Sequence, residues 1–473
     1  MRRILGALIG IIVVSLLLQG KTLKKIRKSQ FDLNSAPNVL LVTFDTTRAD
    51  HLSCYGYVRR TSPTVDQLAA HGVLFENAYT VEPLTGPSHI TMMTSLYPQQ
   101  HGATINGMHM STHPRPILLA QIFHHLGYKT AAFISAWTLK KSITGLGKGF
   151  GVYNENFSYY YKVVNAARRG NEVGDASRRW LRKHAHSHFF LWVHYFDPHH
   201  PYELHQRFAN LPREPHATIF PVSSSVNADR AAKIRAYDSE IAFDDNDLAK
   251  TIKLLSDLGV RDHTLIVFVA DHGENLGERG IWGHGYHIYQ PTVHVPMIFS
   301  YPKEIPQGER IKNNVSTVDI LPTILSYVGL RFRVPGQSGY SLKSMIQNGG
   351  KGAPERPTFF LAYDEPTLLP PKWMSVFWTW AETKRTPSLM GLVEGNTKVV
   401  SSGSQDALKV YRLSDVFSRA EQIPSKEVNL STLTGYREDL DTWFKATNRG
   451  LDPQGRLSKE DREMLKSLGY ANP

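Results

Sequence analysis

Asn38-Val39-Leu40-Leu41-Val42-Thr43-Phe44 is a near-continuous apolar run, and it stops abruptly at Asp45-Thr46-Thr47-Arg48-Ala49-Asp50. A strand with one wet face alternates apolar and polar residues. A run apolar throughout is how a strand reads when a parallel sheet buries both of its faces. The runs at 130–136, 188–196 (HFFLWVHYF), 264–270 (TLIVFVA) and 295–300 have the same texture. Helical segments separate them, at 64–71, from Ser88 toward Pro98, and at 117–126, 175–186 and 231–258; a last one follows at 318–330. This alternation predicts an α/β fold with a mostly parallel central sheet sandwiched by helices. The irregular stretch 203–225 is long enough to be a lid over a site.

After about residue 335 the texture changes. Short strands are expected at 358–363, 374–380, 391–393, 397–401 and 409–413, with helices closing the chain, so 336–473 reads as a smaller C-terminal α+β subdomain. The main domain is 38–335. Ahead of it, Ile4 to Leu18 is an apolar run of fifteen residues, behind Met1-Arg2-Arg3. That is short of the roughly 20 residues that span a bilayer and matches a signal-peptide core or signal anchor within residues 1–20. No small-x-small cleavage site follows, which favours an uncleaved anchor. Residues 21–37 form a basic linker carrying Lys21, Lys24, Lys25, Arg27 and Lys28. The positive-inside rule would hold this flank in the cytoplasm, against the export that the apolar core suggests. The expectation is a membrane-anchored, extracytoplasmic protein, at the periplasm or cell surface.

The chain has 473 residues and a formal net charge of +12, which attracts anionic partners. No nucleic-acid motif is present, so a nucleic-acid partner is not expected. The single cysteine, Cys54, rules out an intrachain disulfide and a Cys-rich metal site.

Three of the apolar strands end in ionisable residues: Asp45, Asp197 with His199, and Asp271 with His272. In open α/β sheets the ligand crevice lies beyond the carboxyl ends of the strands, so these groups converge there. Carboxylates and imidazoles gathered at one edge are costly unless a cation compensates them. Two Asp, one His and an oxygen donor suit Zn²⁺ or Mn²⁺ better than an all-oxygen Ca²⁺ cage. Thr85 lies in the loop Pro83-Leu84-Thr85-Gly86-Pro87-Ser88-His89 at the start of a helix. Its hydroxyl is either a turn or capping group or a nucleophile activated by the ion.

Asp45-Thr46-Thr47-Arg48-Ala49-Asp50, the 83–101 segment, Pro198-His199-His200-Pro201 and Asp271-His272-Gly273, in this order, resemble the sulfatase family of the alkaline-phosphatase superfamily. The resemblance covers about 38–330, a sulfatase-like catalytic domain; 410–413 and 465–470 are similar to the family's closing motifs. It implies one divalent ion (Mn²⁺ or Zn²⁺ favoured, Mg²⁺ or Ca²⁺ as the other choices) held by Asp45, Asp271, His272 and Thr85. It implies Thr85 as nucleophile, His199 and His284 in catalysis, and His89 and Asn106 as substrate contacts. A second metal around His194, Asp197 and His199 is a lesser alternative.

The departures are as telling. Family sulfatases convert a Cys or Ser at position 85 to formylglycine. Thr cannot be converted, because its β-carbon carries an extra methyl. The family's second metal-binding Asp is Thr46 here. Its Gly-Lys-Trp-His segment falls on Ile134-Ser135-Ala136-Trp137, and its Gly-Lys-Gly on Gly283-His284-Gly285. Thr with Asp/Asp/His is similar to what the superfamily's phosphodiesterases and its phosphoglycerol or phosphoethanolamine transferases use. The expected activity is hydrolysis or transfer of anionic esters, phosphodiesters first, through a metal-bound Thr nucleophile and a covalent intermediate. The substrate could be a lipid headgroup or a cell-envelope glycan. A sulfuric ester hydrolase without formylglycine is the alternative, and a non-catalytic envelope protein the second.

Overall fold

The computed structural model describes residues 32–111, 116–157, 167–219, 227–364, 386–402, 408–413, 420–423 and 427–448. The anchor, most of the basic linker, the strand expected at 374–380 and the closing 465–470 motif lie outside these residues. Among the described residues no helix is long and apolar enough to cross a membrane.

The apolar runs become the strands. In chain order these are β1 (Asn38–Phe44), β2 (Val73–Tyr79), β3 (Lys129–Phe133), β4 (Val152–Asn154), β5 (Phe189–Tyr195), β6 (Thr264–Ala270), the two-residue pair β7 (Asn275–Leu276) and β8 (Trp282–Gly283), β9 (His294–Ser300) and β10 (Glu309–Ser316). One eight-stranded sheet runs in the order β10-β2-β9-β6-β1-β5-β3-β4. β1 pairs in parallel with both β5 and β6, so Asp45, Asp197 and Asp271 leave the sheet at the same edge. The sheet is mostly parallel; β9 runs antiparallel to β2 and β6.

Alternate residues of β1 enter opposite cores, as the pleat requires. Val39 and Leu41 join helices α2 (Thr85–Thr94), α3 (Leu119–His125) and α6 (Ile320–Tyr327). Leu40, Val42 and Phe44 join α1 (Pro63–Ala70), α4 (Gly170–His184) and α5 (Ala228–Asp257) on the other face. Every residue of β1, β5 and β6 is buried.

The C-terminal unit is an antiparallel meander of β11 (Thr358–Ala362), β12 (Leu389–Glu394), β13 (Thr397–Ser402), β14 (Leu408–Leu413) and β15 (Ala420–Ile423), packed with helix α7 (Leu430–Thr447). It docks on the main domain: Leu361 N–H donates to Val81 O at 2.8 Å, and Val81, Tyr97 and Val318 share its core with Leu361 and Trp443.

Three expectations are corrected. β2 and β10 are strands that the apolar-run reading passes over. The helix read from Ser88 begins at Thr85 and ends at Thr94, where Ser95 turns left-handed (φ 59°). The described part of the expected lid is no lid. It is pinned beside 56–60, with Val58 N–H to Ile219 O at 2.9 Å and Glu214 N–H to Val58 O at 2.7 Å.

Candidate active site

Asp45, Asp271 and His272 form, among the described residues, the one cluster of three metal-ligating side chains, with ligand atoms within 4.8 Å of one another. All three are fully buried. His272 Nδ1–H donates to Gly273 O at 2.9 Å, which leaves the Nε2 lone pair facing inward. That lone pair lies 3.4 Å from Asp271 Oδ2, 4.0 Å from Asp45 Oδ1 and 3.5 Å from Thr85 Oγ1. Burial and its neighbour His284 hold His272 well below the ordinary imidazole range, so it stays neutral. Burial and the nearby Asp45 charge push the Asp271 carboxyl well up. A lone pair and two carboxylates turned toward one point repel unless a cation lies between them. Asp271 Oδ2 accepts no hydrogen bond, and the buried Thr46 hydroxyl likewise has no partner. The donor set therefore fits a divalent ion, with Thr85 Oγ1 as a further oxygen.

Each ligand is oriented from behind. Asp271 Oδ1 accepts from the backbone N–H of Thr46 (3.2 Å) and His272 (2.8 Å). Thr46 sits at φ 51°, left-handed backbone that a branched residue adopts only under constraint. The constraint is Tyr237 of α5. Its hydroxyl donates to Thr46 O at 2.8 Å and accepts from Arg48 N–H at 2.9 Å.

Thr85 opens α2 with no capping side chain before it, since Leu84 is the residue at that position. Asn106 supplies the missing acceptor: its Oδ1 takes the Gly86 N–H at 2.7 Å. With Oδ1 so engaged, the Asn106 amide NH₂ is left as a donor. Ser88 Oγ donates to Asp271 O at 2.8 Å, fastening α2 to the end of β6.

His199 and His284 face each other across the opening. His284 Nδ1–H donates to Pro83 O (2.9 Å) and His199 Nδ1–H to His200 O (2.7 Å). Their Nε2 atoms are 3.2 Å apart. With both Nδ1–H groups already donated, the two Nε2 atoms share a proton only when the pair is cationic, a charge that burial opposes and an anionic ester beside it would favour. Burial lowers His284 to about 4.

Two sequence expectations are corrected here. His89 is not a substrate contact. It is fully buried, its Nδ1–H donates to Thr85 O at 2.7 Å, and its Nε2 accepts from Thr43 Oγ1–H at 3.1 Å. Thr43 in turn accepts from Trp192 Nε1–H at 3.0 Å. Both ring nitrogens are taken, Nδ1 by the carbonyl of Thr85 and Nε2 by the hydroxyl of Thr43.

His194 and Asp197 hold no second metal with His199. His194 Nδ1 accepts from Ser135 N–H at 3.2 Å, so Nε2 carries the proton and donates to Asp45 Oδ2 at 3.2 Å. It orients Asp45 of the candidate metal cluster instead. Burial, then the charge of Arg168, lowers it to about 3. Asp197 turns away: its Oδ2 accepts Gly170 N–H at 2.6 Å, at the start of α4. Thr43, Trp192 and Tyr237 escaped sequence reading. The one signal for Thr43 was its place two residues before Asp45, on the same side of the strand.

Arg48 ties the two halves of the rim. Its guanidinium pairs with both Asp50 oxygens (2.8 and 2.7 Å), with Glu278 Oε1 (2.8 Å) and with Glu274 O (3.1 Å).

Comparison with known proteins follows the same outline. The family model described as Sulfatase matches residues 37–330. The chain is 25% identical over 365 residues to the uncharacterized sulfatase YidJ of Escherichia coli (strain K12), covering 65% of this chain and 71% of that protein. It is 23% identical over 408 residues to an N-acetylglucosamine-6-O-sulfatase of Bacteroides thetaiotaomicron, covering 67% and 72%. Among solved structures, the phosphonate monoester hydrolase SpPMH from Silicibacter pomeroyi superposes with a TM-score of 0.67 at 20% identity, over 87% of this chain and 96% of that one. BT4656, solved with D-glucosamine-2-N,6-O-disulfate as its substrate, gives 0.65 at 18% identity, over 87% and 98%. At these identities the structural likeness shows a shared fold.

Proposed function

Because the chain belongs to the sulfatase family, we propose that it cleaves anionic esters, phosphodiesters above all, by in-line attack of Thr85. The observation that carries this is the placement of Thr85 Oγ1. It stands at a helix start, 3.5 Å from His272 Nε2, beside two buried carboxylates. A solved relative of the same fold is a phosphonate monoester hydrolase, which supports chemistry at phosphorus.

Asp45, Asp271, His272 and Thr85 would hold a divalent ion, whose charge would lower the pKa of the Thr85 hydroxyl and offset the ester's negative oxygens. The Thr85 proton goes to solvent. Thr85 Oγ1 bonds to phosphorus as the bond to the leaving oxygen breaks, and the proton shared by His199 and His284 passes to that oxygen. The product is phospho-Thr85 and a free alcohol. In the second half the pair takes a proton from water, or from an acceptor alcohol in a transfer reaction, as that oxygen bonds to phosphorus and the bond to Thr85 breaks. The Asn106 amide and the Thr85 backbone N–H would hold the non-bridging oxygens, since Gly86 N–H is taken by Asn106 and Pro87 has none.

Sulfuric ester hydrolysis without formylglycine is the second reading, favoured by the sulfatases among the relatives. The sugar disulfate bound by a structural neighbour supports a glycan ester as substrate under either reading. Lipid headgroup esters at a membrane surface are a further class, in keeping with the expected anchor and extracytoplasmic location.

The test is a parallel assay of bis-p-nitrophenyl phosphate, p-nitrophenyl phosphate and p-nitrophenyl sulfate after chelation and re-addition of Mn²⁺, Zn²⁺, Mg²⁺ or Ca²⁺. Metal-dependent cleavage of the diester, abolished in Thr85→Ala, is expected. Cleavage of the sulfate alone would overturn the phosphodiester reading. Acid-quenched enzyme should carry a phosphoryl group on the peptide containing Thr85.

A further inference from the structure

Lys398 lies in β13 of the C-terminal sheet, yet its side chain is only 2% exposed. The ammonium donates to Ile288 O at 2.5 Å and to Gln290 Oε1 at 2.9 Å, and it lies 4.9 Å from the centre of the Phe360 ring. Two donors meet oxygens and the third faces a ring, so the group is satisfied. It makes no ion pair with a carboxylate among the described residues. Burial, and then the charge of Arg279, hold its pKa well below the ordinary lysine value. Burying an amine without a carboxylate is costly, and the fold keeps it in a well-packed seam with Ile288, Val293 and Phe360.

What Lys398 grips is a segment that braces the candidate catalytic site. Residues 288–293 hold three of its parts at once. Thr292 O accepts from Gly273 N–H at 2.9 Å, beside His272. Val293 O accepts from Thr80 N–H at 2.9 Å, where the chain sets out for Thr85. Four residues before Ile288 the chain carries His284, whose loop also touches the nucleophile loop: a Cβ on Gly285 would lie 3.0 Å from Leu84. The loop is fastened at its start by Arg48 through Glu278 and at its middle by His284 to Pro83 O. Its end is fastened from the other subdomain, by Lys398.

We propose that Lys398 is a positioning residue through which the C-terminal sheet sets the place of His284. The proposal rests on the role given above to His284 in protonating the leaving group. Removing the grip should let His284 swing from its line with His199, while Asp45, Asp271 and Thr85 keep the supports of His194, Thr46 N–H and His89. The defect then depends on the leaving group. A nitrophenolate departs unaided, whereas an alkoxide needs the proton.

The experiment compares wild type with Lys398→Met and Lys398→Gln on two esters, one with a p-nitrophenol and one with a simple alkyl leaving group. Both are offered as phosphodiesters and as sulfates. The expected result is a loss of kcat of roughly 10-fold or more on the alkyl ester and within about 3-fold on the aryl ester, since general acid catalysis typically contributes 10²–10⁴-fold. KM and bound-metal stoichiometry should be unchanged. Equal losses on both esters, or none, would overturn the proposal. Lys398→Gln keeps an N–H donor and covers the case in which Lys398→Met fails to fold. A second arm needs no turnover. Diethylpyrocarbonate labelling of His284, read by peptide mass spectrometry against exposed His71 as standard, should quicken several-fold in both variants. Wild-type protein inactive on every ester would sink the functional reading and leave this arm to decide; unchanged labelling there would sink the role of Lys398 as well.

Discussion

Thr85 is held by its carbonyl as much as by its hydroxyl. The line from Trp192 through Thr43 to His89 ends on Thr85 O, and all four residues are buried. His89 must be neutral with the proton on Nδ1, and burial ensures the first of these by holding it well below the ordinary range. Replacing it with Ala should lower kcat by an order of magnitude or more with little change in KM, because the nucleophile is misplaced and the binding groups are not. Steady-state kinetics on the cleaved ester checks this, and a change confined to KM would refute it. His194 acts one ligand away. In His194→Ala, Asp45 loses its donor, and metal affinity should fall by about 10–100-fold as read by competition with a chelating dye. Asp45, Thr85, Asp271 and His272 were legible in the sequence because each follows an apolar strand or opens a helix. The roles of His89 and His194 were not. Spacing shows that an imidazole is near, but only the acceptor on one nitrogen tells which side carries the proton.

At the scale of elements, the loop after β1 is the weak joint. Asp50 is buried, which alone would raise its pKa, but the two-pronged pair with Arg48 brings it to about 2. Its folded value thus lies below the unfolded value of about 3.9. The stabilisation is fully present above that unfolded value and is lost as pH falls toward 2. Asp50→Asn should therefore cost about 2–3 kcal/mol at neutral pH and flatten the acid limb between about pH 4 and 2. Denaturant melts over that range would show it; an unchanged acid limb would contradict it. β1, β5 and β6 could be read because all their residues are buried, and a strand with no wet face announces itself. β2 and β10 could not. Glu76 and Asn77 interrupt VLFENAY where the pairing shifts register, and in the edge strand ERIKNNVS consecutive polar residues break the apolar run. Helix α4 begins at Gly170, five residues before the helical pattern shows, because Asp197 receives its first N–H.

For the whole molecule, an ion at Asp45, Asp271 and His272 would be part of the stability. Asp271 holds a proton above the usual carboxylate range in the protein without metal, so a bound cation displaces it and binding strengthens as pH rises. Chelation should lower the melting temperature, and the right ion at 100 times its Kd should restore about 2.7 kcal/mol. Thermal scans at pH 6 and 8 measure this; a metal-dependent shift no larger at pH 8 than at pH 6 would contradict it. The parallel core and the smaller C-terminal sheet were both legible from texture. Their union was not, since Lys398 reads as a surface lysine in a strand of mixed polarity.

Thr46 donates to Asp271 across 225 positions of chain. A ribosome has made more than half of the protein before the second carboxylate exists, so no early fragment can grip the ion. Occupancy then works as a certificate of finished assembly. A half-made copy lacks Asp271 and His272, two of the three clustered ligands, and would let the ion go. Retained metal per chain would then be a census of finished molecules.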